Sequence, residues 1–161
     1  MRVGVVCDTH NNLKNVKRIV ELFNDAHVER VIHTGDITQA KTLDALSGLD
    51  APLFGVYGNN DLERDALEAA VHRHGFHFVD PPLELDWHGR QLVVVHDPLE
   101  LDAFAREHHE LLLHGHTHLY RHERIGHQII YNPGECAGIM PGLNAVGVVD
   151  LETLETELLK F

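Results

Sequence analysis

Three strand–loop–helix units follow one another in the first half of the chain, and this order limits the folds that the chain can adopt. In each unit a short apolar run leads, through a loop rich in Asp, Asn, Thr and Gly, into a segment whose apolar residues recur at helical spacing. The strands are predicted at residues 2–7, from Val31, and at residues 53–57. Units of this kind predict right-handed crossovers and parallel strands.

The loops of these units contain residues that begin and end helices. Either asparagine of residues 11–12 can cap the first helix, and the second helix is expected from near Thr38 to about residue 49. Asp61 is a good N-cap for the third helix, which Gly75 would end.

The second half of the chain is dominated by hairpin patterns. Asp97 followed by Pro98 predicts a fourth helix that reaches about His108, and the apolar run at residues 111–113 predicts a buried strand. The predicted hairpins pair residues 83–87 with 91–95, 121–124 with 128–131, and 145–149 with 156–159. The two halves together predict an α/β fold with two packed β-sheets flanked by helices, as a single domain over residues 1–161.

Composition narrows the functions and locations that fit this chain. The formal net charge of −12 argues against broad non-specific binding to nucleic acid, because such binding needs a basic face. No apolar run approaches the length that spans a membrane. The two cysteines, Cys7 and Cys136, do not make a disulfide framework, so we expect a reducing cytoplasm.

Residue types that bind metals follow five of the predicted strands. Ligands of parallel sheets bind beyond the carboxyl ends of the strands, which is where these residues fall. Mixed nitrogen and oxygen donors suit Mn, Fe, Ni, Co or Zn better than Mg or Ca, and seven side chains suffice for two ions. His33 and His114 instead precede the loops, within apolar strands, and are expected to be core or supporting residues. The candidate ligands are Asp8, His10, Asp36, Asn59, His96, His116 and His118.

Each candidate also has an ordinary structural interpretation. Asp8 and Asp36 could cap helices, Asn59 could be a turn residue, and His96 could be a strand-end imidazole. Capping and metal binding are compatible, but all seven candidates at one edge of the sheet favour a site with two metal ions. One carboxylate should bridge such a pair, and Asp36 is the first choice because it lies between the other candidates in the chain.

Five short motifs resemble, in order, those of the calcineurin-like metallophosphoesterases. They extend from the first strand to about Gly134, and the turn at residues 132–135 resembles the small prokaryotic phosphodiesterase branch of that family. The resemblance implies a four-layer αββα sandwich and a metal-dependent phosphoesterase. The motifs are Asp8-x-His10, Gly35-Asp36, Gly58-Asn59-Asn60-Asp61, His96, and Gly115-His116-Thr117-His118.

The resemblance also implies a ligand set for each of two divalent transition-metal ions. Mn²⁺ is the first choice, with Ni²⁺, Fe, Co²⁺ or Zn²⁺ as alternatives. A water or hydroxide between the ions would attack phosphorus, and Asn60, His96 and Asp36 are the expected catalytic residues. One ion would be held by Asp8, His10, Asp36 and His118, and the other by Asp36, Asn59, His96 and His116.

Two positions depart from the family pattern. Many members have His where this chain has Asn60, and an amide can donate a hydrogen bond to phosphate but cannot act as a general acid. We therefore expect a bias towards substrates with good leaving groups. His96 is often followed by Gly-His, but here Asp97 and Pro98 follow, and Asp97 is expected to cap a helix and not to bind metal.

Three functions remain open at this point. The leading one is a phosphodiesterase acting on a phosphate-ester small molecule or a nucleotide, and the second is a phosphomonoesterase. The third is a non-catalytic protein-interaction scaffold, like the retromer subunit that shares the fold but has lost part of its metal site. All seven ligand positions here keep ligating residue types, which favours an enzyme. The sequence predicts neither the physiological substrate nor the oligomeric state.

Overall fold

Eleven strands form two β-sheets in the computed structural model, which describes all 161 residues. In chain order the strands are β1 (Arg2–Val6), β2 (Arg30–His33), β3 (Leu53–Val56), β4 (His77–Val79), β5 (Leu83–Trp87), β6 (Arg90–Val94), β7 (Leu111–Leu113), β8 (Arg121–Ile125), β9 (Gln128–Asn132), β10 (Ala145–Asp150) and β11 (Thr156–Lys160). The first sheet has the order β11-β10-β1-β2-β3-β4 and the second β5-β6-β7-β9-β8. The predicted parallel pairing of β1, β2 and β3 is confirmed, and β6, β7 and β9 are also parallel.

Helices cover the outer faces of the two sheets. In the first helix the Asn12 side chain accepts the N–H of Asn15, and the apolar residues Val16, Ile19 and Phe23 are buried at helical spacing. No helix of the chain combines the length and the hydropathy that crossing a bilayer requires. The helices are α1 (Leu13–Asp25), α2 (Ala40–Leu46), α3 (Arg64–His74) and α4 (Leu101–Phe104), the last of which follows a 3-10 turn at Pro98–Glu100.

Three apolar clusters hold the layers together. Because successive residues of a strand point to opposite faces, Val5 packs between the two sheets whereas Val6 packs under the helices of the first sheet. Val94 and Val93 divide in the same way between the centre and the face covered by α4. Burying one such side chain contributes about 1.5–3 kcal/mol. The predicted α/β fold, with two packed sheets flanked by helices, is confirmed.

Four elements differ from the sequence prediction, and one of them is α3, which begins at Arg64 and not directly after Asp61. The fourth helix ends at Phe104 and not at about His108, because Ala105 adopts an extended backbone with φ −66° and ψ 141°. The second helix is shorter at both ends than the predicted residues 38–49. Strand β4 was not predicted, since its three residues show too short a pattern and its pairing with β3 depends on tertiary contacts.

The carboxyl ends of the parallel strands of both sheets meet at one edge of the molecule. The N–H of Asp8, after β1, donates to the carbonyl of Gly35, after β2, over 3.2 Å. The N–H of His116, after β7, donates to Asp8 Oδ2 over 2.9 Å, and so links the second sheet to the first. The loops that carry the predicted ligands are therefore joined by direct hydrogen bonds.

Candidate metal centre

The seven predicted ligand residues lie together at this edge, in two groups that are joined by one carboxylate. The first group contains Asp8, His10 and His118, whose ligand atoms all lie within 4.8 Å of one another. Asp8 Oδ1 is 3.7 Å from His118 Nε2. All three residues come from loops that directly follow β1 and β7.

The second group contains Asn59, His96 and His116. Asn59 Oδ1 is 2.8 Å from His96 Nε2 and 3.0 Å from His116 Nδ1, and the two histidine nitrogens are 3.3 Å apart. These residues follow β3, β6 and β7, so both sheets contribute to the group.

Asp36 lies between the two groups with one oxygen towards each. Its Oδ2 is 3.6 Å from His10 Nε2, and its Oδ1 is 3.4 Å from His96 Nε2. The carboxylate is almost fully buried. This is the position that a bridging carboxylate requires, and the bridge itself stays a prediction for the metal-loaded protein.

Two of the histidines are oriented by hydrogen bonds from their Nδ1 atoms. His96 Nδ1 is 2.8 Å from the carbonyl of Thr34, which can only accept, so Nδ1 carries the proton and the Nε2 lone pair faces Asp36. His118 Nδ1 lies 3.0 Å from Glu135 Oε1 and likewise leaves Nε2 free towards Asp8. Partners of this kind set the tautomer and orientation of metal-binding histidines.

Glu135 is a buried residue whose sequence context indicates only a turn. Besides His118, its carboxylate accepts the N–H groups of Ala137, Ile139 and Met140 over 2.6–2.9 Å. Burial raises the pKa of the Glu135 carboxyl, but these hydrogen bonds lower it by more. The pKa therefore lies below the ordinary value of a glutamate. The residue is therefore a charged anchor that fixes both His118 and the loop after it.

The lone pairs that converge here fit a divalent cation. Asp8 Oδ1 and His10 Nε2 are buried atoms without a hydrogen-bond partner, which is costly for a polar atom. His96 Nε2 faces Asp36 and Asn59 oxygens, so electron-pair donors lie opposite one another with no proton between them. Burial raises the pKa of the Asp8 carboxyl, against the lowering effects of His96 and His118. Positive charge at this edge would relieve all of these contacts.

Much of the ligand backbone has an uncommon conformation. Positive φ values in non-glycine residues are rare, cost about 1 kcal/mol or more each, and cluster at functional sites. The hydrogen bonds between the loops hold this conformation. Five of the seven candidates adopt it, namely Asp8 (φ 49°), His10 (46°), Asp36 (60°), His116 (69°) and His118 (56°).

Close packing of the loops explains two of the motif glycines. A Cβ atom at position 115 would lie 2.6 Å from Thr34 Oγ1 and 2.8 Å from Asp8 Oδ2, closer than van der Waals contact allows. A Cβ atom at position 58 would overlap Asp36 Oδ1. Only glycine lets the backbone approach these carboxylates, so both positions serve the geometry of the site.

Asp61 is not the N-cap of α3, which corrects the sequence prediction. Helix α3 begins at Arg64, and the buried Asp61 carboxylate instead accepts the N–H groups of Asp36, Thr38 and Gly58 over 3.0, 2.6 and 2.6 Å. The three donors lie in the loops after β2 and β3, and none of them belongs to α3. Asp61 therefore holds the backbone on both sides of the Asp36 carboxylate.

Asn60 lies against Asp36, with its backbone N–H 3.0 Å from Oδ1 and its side-chain Nδ2 2.8 Å from Oδ2. The amide is thus a hydrogen-bond donor beside the proposed metal bridge. Asp97 caps the 3-10 turn by accepting the N–H of Leu99 over 2.9 Å, which confirms the prediction of a cap.

His33 and His114 lie in the core, as predicted. His33 Nδ1 accepts the N–H of Gly35 over 3.1 Å, and its Nε2–H then faces Thr9 Oγ1 at 2.9 Å, so the neutral ring joins the loops after β1 and β2. Burial lowers the pKa of His33 to about 3. Burial also lowers the pKa of His114.

Comparison with known proteins gives a consistent result. The family model for the calcineurin-like phosphoesterase superfamily domain matches residues 1–154. Phosphodiesterase MJ0936 of Methanocaldococcus jannaschii is 31% identical over 160 residues, which cover 96% of each chain.

Solved structures share the same fold. The structure of an archaeal phosphodiesterase superposes with a TM-score of 0.91 at 29% identity, covering 100% of both chains. YfcE, a phosphoesterase from E. coli, superposes with a TM-score of 0.76 at 22% identity, covering 99% of this chain and 98% of its own, which shows the shared fold alone. The motifs, the fold and the match over nearly the whole chain lead to one conclusion: this chain belongs to the calcineurin-like phosphoesterase superfamily and is a hydrolytic phosphoesterase.

Proposed function

We propose that this chain is a phosphodiesterase that uses two divalent transition-metal ions, with Mn²⁺ as the first choice over Ni²⁺, Fe, Co²⁺ or Zn²⁺. Membership of the superfamily implies divalent metal ions, and the relative that is 31% identical carries the name phosphodiesterase. The observation that carries the proposal is the position of Asp36, whose two oxygens face two different groups of ligands.

Four side chains are assigned to each ion, with Asp36 common to both. The buried, unpartnered Asp8 Oδ1 and His10 Nε2 support the first assignment, and the converging lone pairs of the second group support the other. Nitrogen and oxygen donors in this mixture suit first-row transition metals better than Mg²⁺ or Ca²⁺. The two sets are Asp8, His10, Asp36 and His118, and Asp36, Asn59, His96 and His116.

The bound ions supply an activated water and positive charge for the phosphate oxygens. The chain's own residues determine where the ions and the activated water would lie. Thr34 and Glu135 orient His96 and His118, and Asp61 holds the Asp36 loop. Asn60 Nδ2 can donate a hydrogen bond to a phosphate oxygen, but it has no proton to give to the leaving group.

The substrate that we propose is a small phosphodiester, with nucleotide diesters as candidates. Without metals the acidic site of a chain with net charge −12 would repel a phosphate anion, so substrate binding depends on the ions. Cys7 and Cys136 are free thiols in the core, which supports a reducing compartment such as the cytoplasm.

Metal content and a substrate panel test this proposal. Protein purified without chelator should contain about two transition-metal ions per chain by mass spectrometry. Phosphomonoesters, linear diesters and cyclic nucleotides would be compared with Mn²⁺, Ni²⁺, Mg²⁺ and Zn²⁺. We expect higher kcat/KM for diesters than for monoesters. A preference for monoesters would identify a phosphomonoesterase, and a chain that binds no metal would be a scaffold.

A further inference from the structure

Two clefts border the candidate metal centre, one beside each group of ligands. The first, of about 500 Å³, lies against His96 and His116 and is mostly polar. The second, of about 680 Å³, begins at His118 and Glu135. The two clefts share no residue, and each borders a different group of candidate ligands.

The second cleft combines apolar walls with a single cation. Leu119, Tyr120 and Leu143 line it and are 57%, 55% and 49% exposed. Leu158 and Lys160 are two residues apart on β11, so their side chains lie on the same face of the strand, towards the cleft. Large apolar side chains that remain exposed around one depression are typical of ligand-binding or interaction sites.

Lys160 is a cation in an acidic chain, and none of the ion pairs of the structure includes it. It lines the same cleft as His118, with the apolar residues as further walls. A ligand in this cleft would therefore meet the metal centre, an apolar surface and a positive charge. This combination matches an anionic organic molecule better than an apolar protein surface.

We infer that this cleft, which we name the Leu143 cleft, binds one ester arm of the substrate, and that this arm is aromatic and carries a further negative charge that pairs with Lys160. The inference rests on the proposed phosphodiesterase function. A phosphodiester has two ester arms on one phosphorus atom, and two separate clefts that border the metal centre can each take one arm. The aromatic arm packs on Leu119, Tyr120 and Leu143, whereas the other arm lies in the polar cleft beside His116.

Binding of an aromatic anion tests the cleft without using catalysis. The probe is 8-anilinonaphthalene-1-sulfonate, titrated by fluorescence into the full chain with Mn²⁺ and, separately, with chelator. We expect Leu143→Asp and Lys160→Glu each to raise the Kd of the probe about tenfold or more, because one removes apolar contact and the other reverses the charge. Matched controls are Ile125→Asp, at the exposed end of β8, and Lys17→Glu, on the exposed face of α1.

Steady-state kinetics with bis(p-nitrophenyl) phosphate provide the second measurement. We expect Leu143→Asp to raise KM about tenfold, and the probe to compete with substrate in the wild type. Lys160→Glu should act mainly on the probe, because the p-nitrophenyl arm is aromatic but carries no further negative charge. The two controls should match the wild type in both experiments. Equal probe affinity and equal KM in all five proteins would overturn the inference, as would equal weakening by the controls.

The same experiments distinguish failure of this inference from failure of the proposed phosphodiesterase function. They also distinguish a substrate cleft from an interface between two copies of the chain. If the metal-loaded wild type hydrolyses no diester, the proposed function fails, while the probe titration still decides whether the cleft binds an aromatic anion. If size-exclusion chromatography shows a wild-type dimer that Leu143→Asp converts to a monomer, with probe binding unaffected, the cleft is an interface between two copies and the inference is wrong.

Discussion

Asp36 is the residue on which both groups of candidate ligands depend. Its two oxygens lie 3.6 Å from His10 Nε2 and 3.4 Å from His96 Nε2, and its position is fixed by hydrogen bonds from Asn60 and by the Asp61 carboxylate. A residue placed in this way neutralises charge for two ions at once. Its removal should therefore affect both sites, whereas loss of a terminal ligand should affect one.

Replacing Asp36 with Ala should abolish both metal binding and turnover. The two ions would lose their shared ligand and repel each other across the vacated position. Metal content by mass spectrometry and diester hydrolysis would be measured in parallel. Asp25→Ala is the matched control, since Asp25 is an exposed carboxylate at the C-terminal end of α1, outside the loops that carry the candidate ligands, and its loss should keep both metals. An Asp36→Ala protein with two metals and turnover would show that the bridge is assigned wrongly.

Asn60 should make the rate depend on the leaving group. Without an imidazole at this position, leaving-group protonation has to come from elsewhere, so aryl diesters should react far faster than alkyl diesters. Asn60→His should help poor leaving groups most, because general acid catalysis is typically worth about 10²–10⁴-fold.

Aryl phosphodiesters of graded leaving-group pKa, assayed on both proteins at matched metal content, test this expectation. A shallower slope for Asn60→His supports it. Parallel slopes would mean that Asn60 only shapes the turn between Asn59 and Asp61.

At the scale of elements, the strands were predictable but several loop contacts were not. Apolar runs identify β1, β2, β3 and β7 because these strands are buried, and the polar residues that follow each run are the candidate ligands. The role of Asp61 could not be predicted, since its three donors come from two loops that meet only in the folded chain. The same reason hides Glu135, whose partner His118 lies 17 residues away. The positive φ values of the candidate ligands could not be predicted either, because they occur at Asp and His residues and not at glycine.

Glu135 joins the end of β9 to the loop that carries His118. Glu135→Gln should weaken the metal site of Asp8, His10 and His118 by about 10–100-fold, the usual cost of losing a supporting partner. Calorimetric titration of Mn²⁺ should then show one weakened and one unchanged binding step. Glu123→Gln, at an exposed ion pair with Arg121, is the control. Equal weakening of both steps would indicate a general loss of structure instead.

His33, at the end of β2, should make the fold sensitive to acid. Its folded pKa of about 3 lies below the ordinary 6.5, so the unfolded chain takes up a proton near pH 6.5 while the folded chain does not. The free energy of unfolding therefore falls as pH drops below 6.5, by about 2 kcal/mol at pH 5.

Urea unfolding of chelator-treated protein from pH 7 to 5 measures this effect. His33→Gln cannot titrate, so its stability should fall less over the same range than that of the wild type. Identical pH slopes in the two proteins would contradict this, because they would mean that His33 takes up its proton equally well in the folded and unfolded chains.

At the scale of the whole molecule, the metals should stabilise the fold. Asp8, Asp36 and four histidines crowd one edge, and ions that bind only the folded chain stabilise it by mass action, by about 2.7 kcal/mol at a free concentration of 100 times Kd. We expect a higher Tm with Mn²⁺ than with chelator, and no such increase for Asp36→Ala. An unchanged Tm with confirmed metal uptake would contradict this.

The division of the ligands between the two sheets has a consequence for how the protein matures. Asp8 and His116, which are in direct hydrogen-bond contact, are 108 residues apart in the chain. A nascent chain that has emerged only as far as β4 exposes two carboxylates, one amide and one imidazole, a set dominated by oxygen donors. The three further imidazoles, His96, His116 and His118, emerge from the ribosome later. With the proposed ligand sets, a preference for transition metals over Mg²⁺ would be acquired only once the second sheet is in place, so that the completed chain, and not the nascent one, would select its metals.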